Sequence, residues 1–187
     1  MSVQKIEVGS AKIHLTNFVY DNDIILDEID LEGGNILVEP TSDAANPVKV
    51  GSGETKIRIV ISEKNLNSLL KAKLPQDIGL RGVQIALLSG KARVSGQYVK
   101  IIAIPFSVDA AIRIENGIKI LLNFQGANAG GLNLPTRLVE LLEQELNKAL
   151  GQDLSRLPIP IWVDSAQIEA GRLIVTGKAK IQYPLGR

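Results

Sequence analysis

Two sets of charged side chains in this 187-residue sequence have types and positions suited to binding chemistry. Glu145 falls inside the apolar arc of a helix predicted over residues 135–150. Its carboxylate would be a polar group at the mouth of a groove that contacts the head group of a ligand, or it would lie on an exposed flank of the helix or pair with Lys148 three residues on. The second set makes residues 51–100 basic, and such bases would contact phosphate or an anionic surface unless they are ordinary solvated side chains. These bases are Lys64, Lys71, Lys73, Arg81, Lys91 and Arg93.

The sequence has no residue pattern typical of catalysis or of a resident metal. It has no cysteine and one histidine, His14, which excludes thiolate catalysis, zinc sites with cysteine ligands and multi-histidine metal sites. Asp109, Glu115 and Asp164 have no partner base, and no nucleophile elbow or phosphate loop is present. Acids between residues 21 and 32 favour a solvated edge over calcium, because their spacing matches no EF-hand loop. We therefore predict no catalytic residue, no cofactor and no metal site.

Composition and charge narrow the function classes further. The formal net charge is +1 and 4% of the residues are aromatic, which argues against nucleic-acid binding. Charge is uneven, since three bases and nine acids give residues 1–50 a net −6, whereas nine bases and three acids give residues 51–100 a net +6. The length predicts one domain over residues 1–187. No signal peptide or membrane-spanning run is visible, so we expect a cytoplasmic protein, or an envelope protein whose leader has been removed.

Apolar periodicity predicts which elements position these side chains. Helices are predicted over residues 63–73 and 135–150, the second beginning near Pro135 and ending at a left-handed Gly151. Asn116-Gly117 predicts a type I′ hairpin turn between two long strands. Turns are also expected at Gly9-Ser10 and Gly33-Gly34, and loops over residues 40–54 (flexible, on the surface) and 126–133. Strands are predicted over residues 3–8, 11–20, 24–31, 35–39, 55–61, 80–88, 91–99, 102–114, 118–124, 161–169 and 172–183.

The long strands predict the fold class. A strand of ~14 residues spans ~45 Å, which is far longer than the usual strand. We therefore predict an α+β fold in which a long, highly curved antiparallel sheet wraps the 135–150 helix, with the shorter helix beside it.

An internal helix–hairpin repeat is predicted over approximately residues 62–99 and 135–182. Leu-Asn at 66–67 recurs at 146–147, and the motif G-[K/R]-x-x-V-[S/T]-G begins at Gly90 and again at Gly171. Leu-Pro follows each helix in the same order. Three landmarks in one order favour duplication over chance similarity of two short glycine hairpins.

Several of these segments resemble one known family. The stretches IVISEKNLNSLL, GKARVSGQYV, IPFSVDAAIRIENGIKILL and LPIPIWVDSAQIEAGRLIVTG look like the LmeA-like bacterial phospholipid-binding family, over roughly residues 55–182. The resemblance implies a fold related to the tubular lipid-binding (TULIP) proteins, with a curved sheet around a long helix and an apolar groove for acyl chains. It carries no catalytic signature, and no site transfers residue by residue.

Together the pattern and the resemblance predict non-enzymatic binding of a lipid or similar amphiphile between sheet and helix. Burial of acyl CH₂ groups there would contribute ~0.8 kcal/mol each. Lys71, Lys73 and Arg81 form the predicted head-group or membrane patch. The alternative is a structural or interaction module with a self-packed dry core or a homodimer interface. The predicted groove residues are Ile104, Phe106, Val108, Ile112, Ile120, Leu122, Phe124, Leu138, Leu142, Glu145 and Leu146.

Overall fold

The computed structural model describes residues 6–20, 24–41, 48–129, 132–133, 135–151 and 160–183. The helices there are α1 (Glu63–Lys73) and α2 (Thr136–Leu150). The strands are β1 (Ile6–Tyr20), β2 (Ile24–Pro40), β3 (Val48–Gly51), β4 (Thr55–Ser62), β5 (Leu80–Leu88), β6 (Lys91–Val99), β7 (Ala103–Glu115), β8 (Lys119–Ala129), β9 (Leu132–Asn133), β10 (Ile161–Glu169), β11 (Arg172–Ala179) and β12 (Gln182–Tyr183).

The described strands form two antiparallel sheets. Sheet A contains β1, β2, β3, β4, β10, β11 and β12, and sheet B runs in the order β5-β6-β7-β8-β9. An α+β fold with antiparallel sheets is therefore confirmed. The structure differs from the sequence prediction in dividing the strands between two sheets. The division arises at the helices, because α1 leads from β4 in sheet A to β5 in sheet B, and α2 leads back from sheet B to β10 in sheet A.

The turns predicted at Gly9-Ser10 and Gly33-Gly34 are wrong, because β1 and β2 continue through them as two long strands. Ser10 pairs with Gly34 and Ala11 with Gly33 in an unbroken register. A Cβ added to Gly33 would lie 2.7 Å from Oγ1 of the buried Thr55. Glycine therefore allows a close approach between neighbouring strands here, and does not reverse the chain.

Two predicted loops are partly strand. β3 lies inside the predicted surface loop 40–54, because it pairs with the end of β2 and with β12. β8 likewise runs to Ala129, into the predicted glycine-rich loop. Residues 42–47, 130–131 and 134, the Leu157-Pro158 landmark and the start of the predicted strand 3–8 lie outside the described residues.

Local capping explains the helix limits. The hydroxyl of Ser62 accepts a hydrogen bond from the Asn65 N–H and begins α1. Leu74 is extended because it precedes Pro75, which ends the helix. For α2, the expected left-handed Gly151 is wrong, since its φ is −71°. A Cβ at Gly151 would nevertheless lie 2.3 Å from the Asn147 carbonyl oxygen, so close packing explains the glycine.

The hairpins β5–β6 and β10–β11 contact each other through their turns. The Gly90 N–H donates to the Ile168 carbonyl at 2.9 Å, and the Gly171 N–H donates to the Leu87 carbonyl at 2.8 Å. Each turn thus binds the neighbouring hairpin's first strand, and the two bonds are reciprocal. They join sheet B to sheet A at this end of the molecule.

Both sheets and both helices contribute to one hydrophobic core. Leu70 of α1, Leu142 and Leu146 of α2, Ile59 of sheet A and Val94 of sheet B all belong to it. In β4, β6 and β11, alternate apolar side chains face this core, whereas the large apolar side chains of β1 are exposed.

Candidate functional site

Most of the predicted groove residues lie in the hydrophobic core. Six of them are buried there, and three more pack against it partly buried. Ile104 differs, since 43% of its surface is exposed near the start of β7. The buried members are Phe106, Val108, Leu122, Leu138, Leu142 and Leu146, and the partly buried ones are Ile112, Ile120 and Phe124.

Glu145 is buried in α2 among apolar positions, with 7% of its surface exposed. Its Oε1 lies 3.8 Å from the Nζ of Lys148, so the i,i+3 pair considered from the sequence is present, though long. Its Oε2 has no hydrogen-bond partner among the residues that the structure describes. A buried carboxylate oxygen without a partner destabilises a fold by roughly 1–3 kcal/mol. Glu145 does not line any groove described below.

A groove of about 580 Å³ lies between α1 and β5. Its apolar lining comes from both elements and from the link that joins them, and Leu70 and Leu80 are also members of the core. Lys71 and Arg81, two residues of the predicted head-group patch, lie in the same groove and are exposed. The apolar lining residues are Leu70, Leu74, Pro75, Leu80 and Val83.

A β-bulge shapes the β5 wall of this groove. The register between β5 and β6 shifts by one residue between Arg81 and Gln84, where Gly82 has a φ of +57°. A Cβ at the facing Gly96 would lie 3.1 Å from the Arg81 carbonyl oxygen and 3.2 Å from the Val83 Cα. The bulge therefore needs glycine on both strands, and it bends β5 beside the helix.

Side chains of α1 hold the helix against the free edge of β5. The Asn67 amide donates to the Ile85 carbonyl at 2.7 Å and accepts from the Ile85 N–H at 2.8 Å. The Glu63 carboxylate accepts from the Leu87 N–H at 2.7 Å. These bonds fix one end of the groove, so the distance between its walls is set by specific contacts.

The predicted basic segment does not form one patch. Lys91 and Arg93 bind Asp109 on the neighbouring strand β7, and the Arg93 Nε lies 2.7 Å from the Asp109 Oδ1. The Arg93 guanidinium, followed by the Lys91 ammonium, lowers the pKa of Asp109 to about 2. Lys91 and Arg93 are therefore paired within sheet B, whereas Lys71 and Arg81 line the groove, and Lys73 is exposed at the end of α1.

The acidic residues of β2 pair across sheet A. Arg58 donates to Glu28 at 3.0 Å and to Asp30 at 2.9 Å, and the His14 Nδ1 lies 2.6 Å from Asp30. Hydrogen bonds from His14 and then Arg58 lower the pKa of Asp30. The acids of the negative segment 1–50 are therefore partly neutralised by a base of the positive segment 51–100 on a neighbouring strand. No group of acids and histidines suited to a metal ion occurs in the described part of the chain.

Two further grooves lie on sheet A. One, of about 730 Å³, is lined mainly by polar and charged residues of β1, β2, β4 and β11, including His14, Asp30 and Arg58. The other, of about 430 Å³, is lined by Trp162, Lys178 and residues of the β3–β4 connection. The α1–β5 groove differs from both in that five apolar residues and two bases line it together.

Sequence reasoning missed the role of the two repeated asparagines. Asn147 binds the free edge of β8 through Leu122, with bonds of 2.7 and 2.9 Å, as Asn67 binds β5. The recurrence of Leu-Asn was visible in the sequence, but the partner strands were not. Both asparagines cover edges of sheet B, which an unpaired strand would otherwise expose to other chains.

One comparison with known proteins identifies the family of this chain. No described helix is long and apolar enough to cross a membrane. No curated protein and no solved structure matches the chain significantly. A family model described as LmeA-like phospholipid-binding matches residues 7–178, which is most of the 187-residue sequence and confirms the resemblance found in its motifs. The chain belongs to the LmeA-like phospholipid-binding family.

Proposed function

We propose that this protein binds a phospholipid or similar amphiphile without chemistry, and that the α1–β5 groove receives it. The observation that carries the proposal is the combination of an apolar floor with two exposed bases in one groove of about 580 Å³. Pockets that bind small ligands usually measure 300–1,000 Å³ and have mostly apolar walls with a few polar groups. Family membership supports lipid as the class of ligand.

In this arrangement each part of the ligand meets matching chemistry. Acyl groups lie against Leu70, Leu80 and Val83, where each buried CH₂ contributes ~0.8 kcal/mol. The phosphate lies near Lys71 and Arg81, which both carry positive charge at neutral pH. Leu70 and Leu80, which line the groove, also belong to the core. Longer acyl chains would therefore extend from this groove towards α2, where the sequence predicts a groove between sheet and helix. A sheet curved around α2, as in tubular lipid-binding proteins, is part of this proposal.

The first experiment is extraction of the purified protein followed by mass spectrometry, together with titration of a fluorescent phospholipid.

Val83→Trp fills the groove and should weaken binding about tenfold, equivalent to ~1.4 kcal/mol. Val19→Trp places the same residue on the exposed strand β1 and is the matched control. Lys71→Glu with Arg81→Glu should weaken binding of anionic lipids more than of neutral lipids.

The alternatives give different results. A preparation with no bound amphiphile and no measurable lipid affinity would reject the proposal in favour of a self-packed core or a homodimer interface. A Val83→Trp variant with unchanged affinity would reject the α1–β5 groove while leaving lipid binding possible elsewhere.

Glu145→Leu tests the head-group role considered for Glu145. If this variant binds lipid with unchanged affinity and its free energy of unfolding rises by about 1 kcal/mol, the Glu145 carboxylate has no role in binding and only destabilises the fold.

A further inference from the structure

The connection between β6 and β7 exposes an unusual run of apolar residues. Val99 pairs with Ala103, so residues 100–102 form the turn. The exposed fraction is 92% for Ile101 and 74% for Ile102, and all of residues 100–105 are exposed. Single exposed apolar residues are ordinary, but a contiguous exposed set marks a contact surface. We call residues 100–105 the β6–β7 tip.

The tip projects beyond its neighbour β8. Pairing between β7 and β8 begins at Ser107, so residues 103–106 pair only with β6 in the part of the chain that the structure describes. Four strand residues extend ~13 Å. Pro105 lies in this stretch, where a missing N–H is tolerated because one neighbouring strand is absent.

The segment beside the tip is rich in bases. The Val99 N–H donates to the Gly79 carbonyl at 2.7 Å and Tyr98 pairs with Leu80, so the link after α1 lies beside the tip. Residues 71–81 and 97–105 together carry four bases and one acid, a net charge of +3. The bases are Lys71, Lys73, Arg81 and Lys100, and the acid is Asp77.

We propose that the β6–β7 tip docks this protein on anionic phospholipid bilayers, with Ile101 and Ile102 entering the interface and Lys100 meeting the head groups. Exposed aliphatic residues with bases beside them and in the adjoining segment match the two attractions that hold peripheral proteins on such bilayers. Docking also brings the α1–β5 groove to the bilayer, because the groove is lined by the same link between α1 and β5. The inference adds to the proposed function, and its test does not depend on which groove holds lipid.

The experiment is sedimentation of the full chain with vesicles of phosphatidylcholine alone or mixed with phosphatidylglycerol. Ile101→Ser with Ile102→Ser should weaken binding to the mixed vesicles about tenfold or more. The control is Ile6→Ser with Val19→Ser, two β-branched aliphatic side chains that are 58% and 57% exposed on β1, and this variant should bind as the unmodified protein does. Lys100→Gln should weaken binding about fivefold, and Lys12→Gln on β1 should leave it unchanged.

A tryptophan at the tip reports insertion directly. Trp162 is the only tryptophan, so Ile102→Trp in a Trp162→Phe background provides one emission signal, which should shift to the blue with anionic vesicles. Tip variants should still bind a monomeric short-chain phospholipid in the groove. This result would distinguish a loss of bilayer docking from a loss of lipid binding in the groove. Equal vesicle binding by tip variants and unmodified protein would overturn it. So would a homodimer that the tip substitutions dissociate, since the tip would then bind a second copy.

Discussion

Single side chains decide how the strand edges of sheet B are covered. Asn67 and Asn147 each satisfy both the N–H and the carbonyl of one edge residue, Ile85 and Leu122. An asparagine side chain has the same donor and acceptor pair as a backbone amide, and it therefore substitutes for a missing neighbouring strand. The helices consequently cover the edges of the sheet as well as packing on its face.

At the same scale, Asp109 couples stability to pH. The cations of Arg93 and Lys91 lower its pKa from 3.8 to about 2, so the folded state favours the carboxylate more than the unfolded chain does. The resulting stabilisation is fully present above pH 3.8, and it is lost as the pH falls towards 2. We expect Asp109→Asn to destabilise the fold by about 1 kcal/mol at pH 7, the value of a good surface ion pair.

Urea unfolding at several pH values between 7 and 2 measures this effect. The difference between Asp109→Asn and the unmodified protein should shrink below pH 3.8 and be largely lost at pH 2, even though other carboxylates also titrate. Glu140→Gln, on the exposed face of α2, is the control and should differ little from the unmodified protein at any pH. A difference that stays constant down to pH 2 would contradict the ion-pair explanation.

At the scale of elements, the two hairpins with the repeated motif share one irregularity. In β5–β6 the register shifts beside Gly96, and in β10–β11 it shifts between Val163 and Ser165, beside Gly177. Each shift lies opposite the last glycine of G-[K/R]-x-x-V-[S/T]-G, and the valine of each motif is buried. The same bulge at equivalent positions supports the proposal that the two units arose by duplication.

The bulge makes a specific prediction for Gly177. An added Cβ would lie 2.1 Å from the Trp162 carbonyl oxygen, a backbone atom that cannot move without breaking the hairpin. We expect Gly177→Ala to destabilise the fold by about 2–4 kcal/mol, measured by urea unfolding. Gly51→Ala is the control, because nothing lies within 4 Å of its added Cβ, and it should be neutral or slightly stabilising. Equal stability of the two variants would show that the hairpin relaxes easily.

At the scale of the whole molecule, the reciprocal bonds of Gly90 and Gly171 join the two sheets. An amide in an exposed turn normally exchanges its hydrogen quickly, but these two donate to carbonyls of the other sheet. They can exchange only when the sheets separate, so their opening free energies should be similar and close to that of global unfolding. Hydrogen exchange followed by NMR measures both.

The control amide belongs to a turn whose bond is local. The Ile118 N–H donates to the Glu115 carbonyl within the β7–β8 turn, so it should exchange much faster than either glycine. Fast exchange at Gly90 and Gly171 would show that the sheets separate independently of unfolding, and that the core opens from this end.

The features determined by the sequence alone are those that depend on neighbours along the chain. Helix α1 and the hairpin strands β5 and β6 have the predicted limits, because capping, Pro75 and apolar alternation act within a few residues. The Asn116-Gly117 turn also follows local chemistry, with both residues at positive φ. Family membership was visible for the same reason, since it rests on local motifs.

The tertiary structure decided what depends on partners distant in sequence. Glycines 9 and 33 looked like turns, yet they lie in strands because β1 and β2 pair along their whole length. Ile104 and Phe106 share one strand parity, and both lie beyond the paired part of β8, yet only Phe106 belongs to the core. Periodicity shows that side chains share a face, whereas burial depends on what packs there. The groove and the tip therefore became visible only once both sheets were in place.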